Sequence, residues 1–182
     1  LDKQELRKRN EAFVRKIIEE DPLYFDELKK GQTPEFFMLS CSDSRVSPSV
    51  ITQMPLGNIF VHRNIANQVD TRDESFSASL YYALKYLKVK KIIIKGHTDC
   101  GGIKAAWSET ADEELQGWVS KIRSSLPDKS EVVNSTNELS KINVLKQVEH
   151  LKNHPVYQAY GKKVEVRGCL FHVESGELER LI

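Results

Sequence analysis

The chain is poor in the residues that would place it in several large classes. Of its 182 residues only three are cysteine, two methionine and two tryptophan. Three thiols cannot close a disulfide framework, and so odd a count argues for a reducing compartment. No Cys-x-x-Cys pair is present, which argues against a dithiol redox role. No apolar run approaches the roughly 20 residues needed to span a bilayer. Charge excess is missing too: 27 Lys and Arg stand against 26 Asp and Glu, a net +1 spread along the chain. That balance excludes the basic footprint of a nucleic-acid binder and a polybasic membrane anchor. What remains, 40% hydrophobic and 29% charged residues, is the composition of a globular protein, and the length suits one domain spanning 1–182.

Residues 3–20 carry a helical pattern, with Leu6, Phe13, Ile17 and Ile18 near one face. Asp21-Pro22 ends it, and a short segment from Leu23 to Leu28 follows. So thinly apolar a leading helix is read as an arm, residues 1–30, that packs on a partner subunit. Phe36 to Ser40 reads as a buried strand. Ser47-Pro48 reads as a helix start with Ser47 as N-cap. Ile59-Phe60-Val61 is a second buried strand, with His62-Arg63-Asn64 at its carboxyl end. The strongest helix signal runs from Asp73 to Leu87, on the stripe Phe76, Leu80, Ala83, Leu84, Leu87. Val89 to Lys95 is a third strand, and Gly101 to Trp107 turns into a helix. The segment 108–134 is polar and irregular, with a short helix from Leu115 to Leu126. Ser135-x-x-Glu138 is a capping box, opening a helix on Leu139, Ile142, Leu145, Val148 and Leu151. A turn of helix from Tyr157 to Gly161 leads to a strand, Lys163 to Val173, and Glu174-Ser175-Gly176-Glu177 is a hairpin signal with a partner strand from Leu178 to Ile182. The order predicts an α/β fold: a central, mostly parallel β-sheet with flanking helices, an N-terminal helical arm and a C-terminal hairpin.

Sheets of this kind hold their sites at the carboxyl ends of the strands. Two polar stretches stand there: Cys41-Ser42-Asp43-Ser44-Arg45 after the first strand, and Gly96-His97-Thr98-Asp99-Cys100-Gly101-Gly102 after the third. Side by side and parallel, these strands bring Cys41, His97 and Cys100 together. Two thiolates and an imidazole suit zinc and leave one coordination position for chemistry. A lone cysteine is more often a small buried hydrophobe; two at strand ends, with a histidine and glycines between, favour the metal. Cys169, in an alternating strand, reads as packed. His62, His150, His154 and His172 lack partners at ligand spacing. Asp99 reads equally as a residue supporting the ligands or as a solvated loop carboxylate.

Cys-Ser-Asp-Ser-Arg at 41–45 followed by His-x-x-Cys-Gly-Gly at 97–102 resembles the β-class carbonic anhydrases, of the plant-like or fungal type. Gln32, the segment Phe60 to Asn67 and the closing hairpin are similar as well, so the resemblance covers nearly the whole chain. It implies one Zn2+ per chain on Cys41, His97 and Cys100, and hydration of CO2 to bicarbonate and a proton by a zinc-bound hydroxide. Zinc lowers the pKa of bound water to about 7. Asp43 and Arg45 are implied as the dyad that orients the nucleophile, the carboxylate accepting its hydrogen and the guanidinium holding the carboxylate. Gln32 is implied as a donor to a substrate oxygen. Phe60, Val61 and Ala66 form the apolar wall for CO2, and Gly101 and Gly102 allow close backbone approach to the metal. Some family members swing the aspartate onto zinc; others keep a tryptophan ahead of the first cysteine for a regulatory bicarbonate pocket. Phe37 to Ser40 contains none, and the open site is expected.

The resemblance also implies a homodimer or a dimer of dimers, a homotetramer. Two alternatives stand beside it: a carbon disulfide or carbonyl sulfide hydrolase on the same zinc site, and a non-catalytic zinc-stabilised interaction module. The expected compartment is intracellular, the cytoplasm first. A mitochondrion or other organelle is the alternative for a chain whose targeting segment was removed ahead of Leu1.

Overall fold

The computed structural model describes residues 2–133 and 135–182. Leu1, and Asn134 at the end of the irregular 108–134 stretch, lie outside them. The chain forms two compact units, residues 1–33 and 34–182.

In the first unit α1 spans Lys3–Glu20 and α2 spans Tyr24–Leu28. Asp2 caps α1, its carboxylate accepting the N–H of Glu5 at 2.8 Å. No residue of α1 is buried, and Leu6 and Phe13 are 58% and 42% exposed.

The second unit is built on a five-stranded sheet in the order β2-β1-β3-β4-β5. Its strands are β1 (Phe36–Cys41), β2 (Ile59–Asn64), β3 (Lys91–His97), β4 (Glu165–Phe171) and β5 (Leu178–Arg180). The first four run parallel, and only β5 is antiparallel, closing the hairpin read from Glu174 to Glu177. Parallel strands are covered on both faces, which is why β1 and β3 read as continuous apolar runs. The helices are α3 (Pro48–Thr52), α4 (Glu74–Tyr82, continued by a wider π-type turn, Ala83–Leu87), α5 (Gly101–Ser108), α6 (Glu113–Arg123), α7 (Thr136–Asn153) and α8 (Pro155–Tyr160). Among the described residues no helix is long and apolar enough to cross a membrane.

The core has two parts. Phe37, Leu39, Ile92 and Ile94 pack on Phe76, Leu80, Val144, Val148 and Leu151, and each such side chain contributes about 1.5–3 kcal/mol on burial. The second part lies around Cys41 and Cys100, where Val46, Ala66, Ile103, Ile122 and Leu139 gather.

Three local expectations need correction. The second strand does not stop at Val61: pairing continues to Cys41↔Asn64, so His62, Arg63 and Asn64 belong to β2. Ser47 precedes α3 but makes no side-chain capping bond. The face of α7 is rotated from the leucine stripe. Leu145 is 44% exposed, whereas Ser140, Asn143 and Gln147 are buried: Asn143 and Gln147 find partners in distant loops, and Ser140 returns its hydroxyl to the Thr136 carbonyl of the same helix.

Candidate metal centre

The site begins with strand register. β1 and β3 are parallel neighbours, with Ser40 opposite Lys95, so Cys41 and His97 both arrive at the carboxyl edge. After His97 the chain turns through Thr98 and Asp99, the latter in the left-handed region at φ +58°. Cys100 follows as the N-cap of α5. The turn is anchored to β4: Thr98 donates its N–H to the Phe171 carbonyl at 2.9 Å and its hydroxyl to Glu174 Oε2 at 2.6 Å. As a result the ligand atoms of Cys41, His97 and Cys100 lie within 4.8 Å of one another, and all three residues are buried.

The donor chemistry fits zinc. His97 Nδ1 is 2.8 Å from the Thr98 carbonyl. A carbonyl only accepts, so Nδ1 carries the hydrogen and Nε2 keeps its lone pair. That Nε2 is buried without a partner among the described residues, a costly state unless something electrophilic meets it. The two sulfurs form one coupled acid. A hydrogen bond from the Cys100 thiol, set against burial, together with the nearness of His97 and the N–H groups of Asp43 and Ala66, brings Cys41 down to about 4. The same bond to Cys41, with burial, pushes Cys100 up, although the N–H groups of Gly102 and Ile103 oppose it. One proton is lost readily and the other is held between the sulfurs, where a soft dication would replace it.

Asp43 and Arg45 flank this cluster. Asp43 Oδ2 lies 3.9 Å from His97 Nε2. Its carboxylate accepts from the Arg45 backbone N–H at 2.9 Å, from Nε at 3.0 Å and from Nη2 at 2.7 Å. The guanidinium holds the carboxyl well below the usual carboxylate range, against a smaller opposing effect of burial. Arg45 also reaches Asp99, with Nη1 on Oδ2 at 3.1 Å and Nη2 on the carbonyl at 3.3 Å. Asp99, which also pairs with Lys104, thus braces the arginine and is not a freely solvated carboxylate.

The other expected residues are placed unevenly. Ala66 joins the cysteines in the second core, and its N–H donates to Cys41 Sγ at 3.3 Å. Gly102 faces a tight space, since a β-carbon there would stand 2.6 Å from Ile65 Cγ2 and 3.3 Å from Ala66 Cβ. Gly101 faces none, so of the two glycines only Gly102 is required by close approach. Phe60 pairs with Phe37 and Val61 with Met38. At about 3.3 Å per residue these rows stand roughly 10–13 Å before the Cys41 row. Phe60 stacks instead with Phe37 and Tyr82 in the first core part. Gln32 is exposed within the 1–33 unit. His62 is held by Ser79 at 3.2 Å, and Cys169 is buried and free.

One residue the sequence reading did not assign is Arg63. Its Nε donates to the Cys41 carbonyl at 2.9 Å and its Nη2 to the Asp43 carbonyl at 2.6 Å. It clamps the loop between Cys41 and Asp43, and its place at the carboxyl end of β2 was the available signal.

Known proteins give this geometry a family. Residues 36–178 match the carbonic anhydrase family profile. The carbonic anhydrase of Emericella nidulans is 36% identical over 94% of the chain and 80% of its own length. That of Candida albicans is 36% identical over 86% of the chain, which spans 59% of the longer relative. Among solved structures, a tetrameric β-carbonic anhydrase of Sordaria macrospora superposes with a TM-score of 0.88 at 30% identity, covering 98% of this chain and 95% of that one. The Coccomyxa β-carbonic anhydrase in complex with acetazolamide gives 0.91 at 30% identity, over 100% and 86% of the two chains. With the profile and the relatives spanning the two motif stretches, the strand order and the ligand cluster together, this chain belongs to the β-carbonic anhydrases.

Proposed function

We propose that the chain catalyses the reversible hydration of CO2 to bicarbonate and a proton, with one zinc ion held by Cys41, His97 and Cys100. The observation that carries this reading is the orphaned, buried Nε2 of His97 beside two coupled thiols, 3.9 Å from the Asp43 carboxylate. Bound there, zinc supplies a water molecule acidified to a pKa of about 7, and therefore a nucleophile at neutral pH.

The rest is the work of side chains. Asp43, kept ionised by Arg45, can only accept hydrogen bonds. It holds the hydrogen of the nucleophile and leaves the oxygen lone pair turned toward the substrate. Arg45, tied at its other edge to Asp99, fixes the angle of that carboxylate. The pair is formed in this structure, with two side-chain bonds of 3.0 and 2.7 Å, which supports the open form of the site. Ala66 and Gly102 border the cysteines with little more than backbone, giving room and low polarity for an uncharged substrate. Phe60, Val61 and Gln32 are assigned to the substrate side of a site completed by a partner chain. The assembly is proposed as a homodimer or a dimer of dimers of one catalytic domain with its N-terminal arm. Three free cysteines suit an intracellular, reducing compartment.

Metal analysis together with stopped-flow CO2 hydration, on wild type and Cys100→Ser, tests the proposal. Wild type is expected to bring one zinc per chain and to hydrate CO2; the variant is expected to lose both. Absence of zinc from wild type removes the basis of the reading. Sulfide release from carbon disulfide without CO2 hydration transfers the site to the other substrate. Asp43→Asn is expected to keep zinc and lose roughly a hundredfold or more in kcat/KM, as for a positioned general acid–base group. Full activity in that variant excludes the dyad.

A further inference from the structure

The turn after β2, Ile65–Asn67, places two consecutive non-glycine residues in the left-handed region, Ala66 at φ +61° and Asn67 at +48°. Its function depends on that shape, because the Ala66 N–H points at Cys41 Sγ, 3.3 Å away. The turn is held by side chains from three directions. The carbonyl of Ile65, which belongs to the same peptide group as that N–H, accepts Trp118 Nε1 from α6 at 3.0 Å. The next carbonyl, that of Ala66, accepts two amides: Gln68 Nε2 at 2.7 Å and Asn143 Nδ2 from α7 at 3.1 Å. The two amides also bind each other, Gln68 Nε2 donating to Asn143 Oδ1 at 2.8 Å. Gln147, one turn along α7, donates to both at 3.2 and 3.1 Å and reaches Ser125 Oγ at 2.9 Å.

Gln68, Asn143 and Gln147 are 3%, 1% and 0% exposed, so water does not complete their bonding. A core that needed only volume would be filled there by aliphatic side chains; amides in such a place are tolerated only if fully paired. Here two of them converge on the Ala66 carbonyl, Gln147 holds that pair, and the Trp118 indole takes the Ile65 carbonyl, so both peptide groups flanking the Ala66 Cα are fixed. An N–H donated to a thiolate steadies its charge and fixes which lone pair faces the metal.

We propose that Trp118, Gln68 and Asn143 are positioning residues for the metal ligand Cys41, acting through the two peptide groups that flank Ala66: Trp118 on the Ile65 carbonyl, Gln68 and Asn143 on the Ala66 carbonyl. The proposal rests on zinc being the resident of the Cys41–His97–Cys100 site. None of the three touches a ligand atom; their effect passes through the Ala66 N–H to sulfur.

The test is the zinc dissociation constant, measured by competition with a chromophoric chelator. Trp118→Phe keeps the ring and removes the N–H; Gln68→Met keeps the stem and removes the amide; Asn143→Leu keeps the volume. Each is expected to weaken zinc binding about tenfold or more, as loss of a group supporting a ligand does. Ser125→Ala cuts the same network at its far end and is expected to lower the melting temperature with zinc affinity unchanged. NMR of the cadmium-substituted wild type supplies a direct signature: scalar coupling from the metal through Cys41 Sγ to the Ala66 amide proton, lost in Trp118→Phe. Wild-type coupling that is absent overturns the proposal, whether or not the variants fold. So does zinc affinity that is unchanged in Trp118→Phe and Gln68→Met. If wild type binds neither zinc nor cadmium, the assignment of the metal centre fails instead.

Discussion

Lys95 is wholly buried in β3, two residues before His97. Its ammonium donates to the Val46 carbonyl at 2.8 Å and lies 5.7 Å from the Phe171 ring centroid, with no carboxylate salt bridge among the described residues. Burial, reinforced by Arg63, pushes its pKa down to about 8, although Cys41, Cys169 and Asp43 oppose the change. The depression corresponds to roughly 3 kcal/mol against the charged form. The hydrogen bond and cation–π contact return about 1–2 kcal/mol. Lys95→Met is therefore expected to stabilise the zinc-loaded protein by about 1 kcal/mol in urea denaturation. A clear loss of stability would mean that the cation balances the cysteine sulfurs. The paired glycines of the second motif separate in the same experiment. Gly102→Ala forces a β-carbon to 2.6 Å from Ile65, and overpacking of this kind costs about 1–3 kcal/mol. Gly101→Ala meets open space at the start of α5, and its helix propensity offers a gain of up to about 1 kcal/mol. Equal losses at both positions would contradict the packing argument.

The element that closes the sheet carries a titrating clasp. His172 follows β4, with Nε2 2.8 Å from Glu179 Oε2 on β5 and Nδ1 3.4 Å from Glu174 Oε1. Lys141 of α7 reaches the other oxygen of Glu179 at 2.8 Å, and Thr98 holds the other oxygen of Glu174 at 2.6 Å. Glu179 raises the histidine pKa, opposed by burial and helped by Glu174. The folded state therefore binds this proton more tightly than the unfolded one. Its contribution is complete below the unfolded pKa of about 6.5 and is lost as pH rises through the higher folded value. The melting temperature is expected to fall across that window, and His172→Gln is expected to flatten the fall. An unchanged slope would remove the clasp from the account. Elements of this kind were legible because their signals are local: Glu174 to Glu177 announced the hairpin, and Ser135 announced the start of α7, where its hydroxyl accepts the Glu138 N–H at 3.2 Å. The phase of α7 was not legible. Apolar periodicity counts Leu145 and ignores Asn143 and Gln147, whose burial is decided by Ala66, Gln68 and Val69, residues more than seventy positions earlier. Ligands recur at strand ends and are visible in sequence; the groups that hold a ligand's neighbour are not.

For the whole molecule, what a single chain leaves uncovered is informative. α1 is 18 residues long, about 27 Å at 1.5 Å per residue, and it buries none of its side chains. Leu6, Phe13 and Ile18 are 58%, 42% and 44% exposed, and Leu23 is 61% exposed in the following turn. The sheet ends on β2 with a six-residue edge whose side chains are all half-buried, including Phe60 and Val61. Exposed apolar side chains on a long helix and an open strand edge are both features that association covers. Wild type is accordingly expected to sediment at two or four times the 20.8 kDa chain mass. Leu6→Glu combined with Phe13→Glu places two charges on the uncovered face, seven residues apart and two turns along the helix. The doubly substituted chain is expected to shift toward smaller species at micromolar concentration. Its zinc content should stay that of wild type, because Cys41, His97 and Cys100 all belong to the 34–182 unit. CO2 hydration should fall with the assembly if Gln32 and Phe60 act on a partner's site, and should survive dissociation if one chain is sufficient. A wild type that sediments as a monomer would leave α1 without a reason for its exposed leucine and phenylalanine, and would return Gln32 and Phe60 to structural roles.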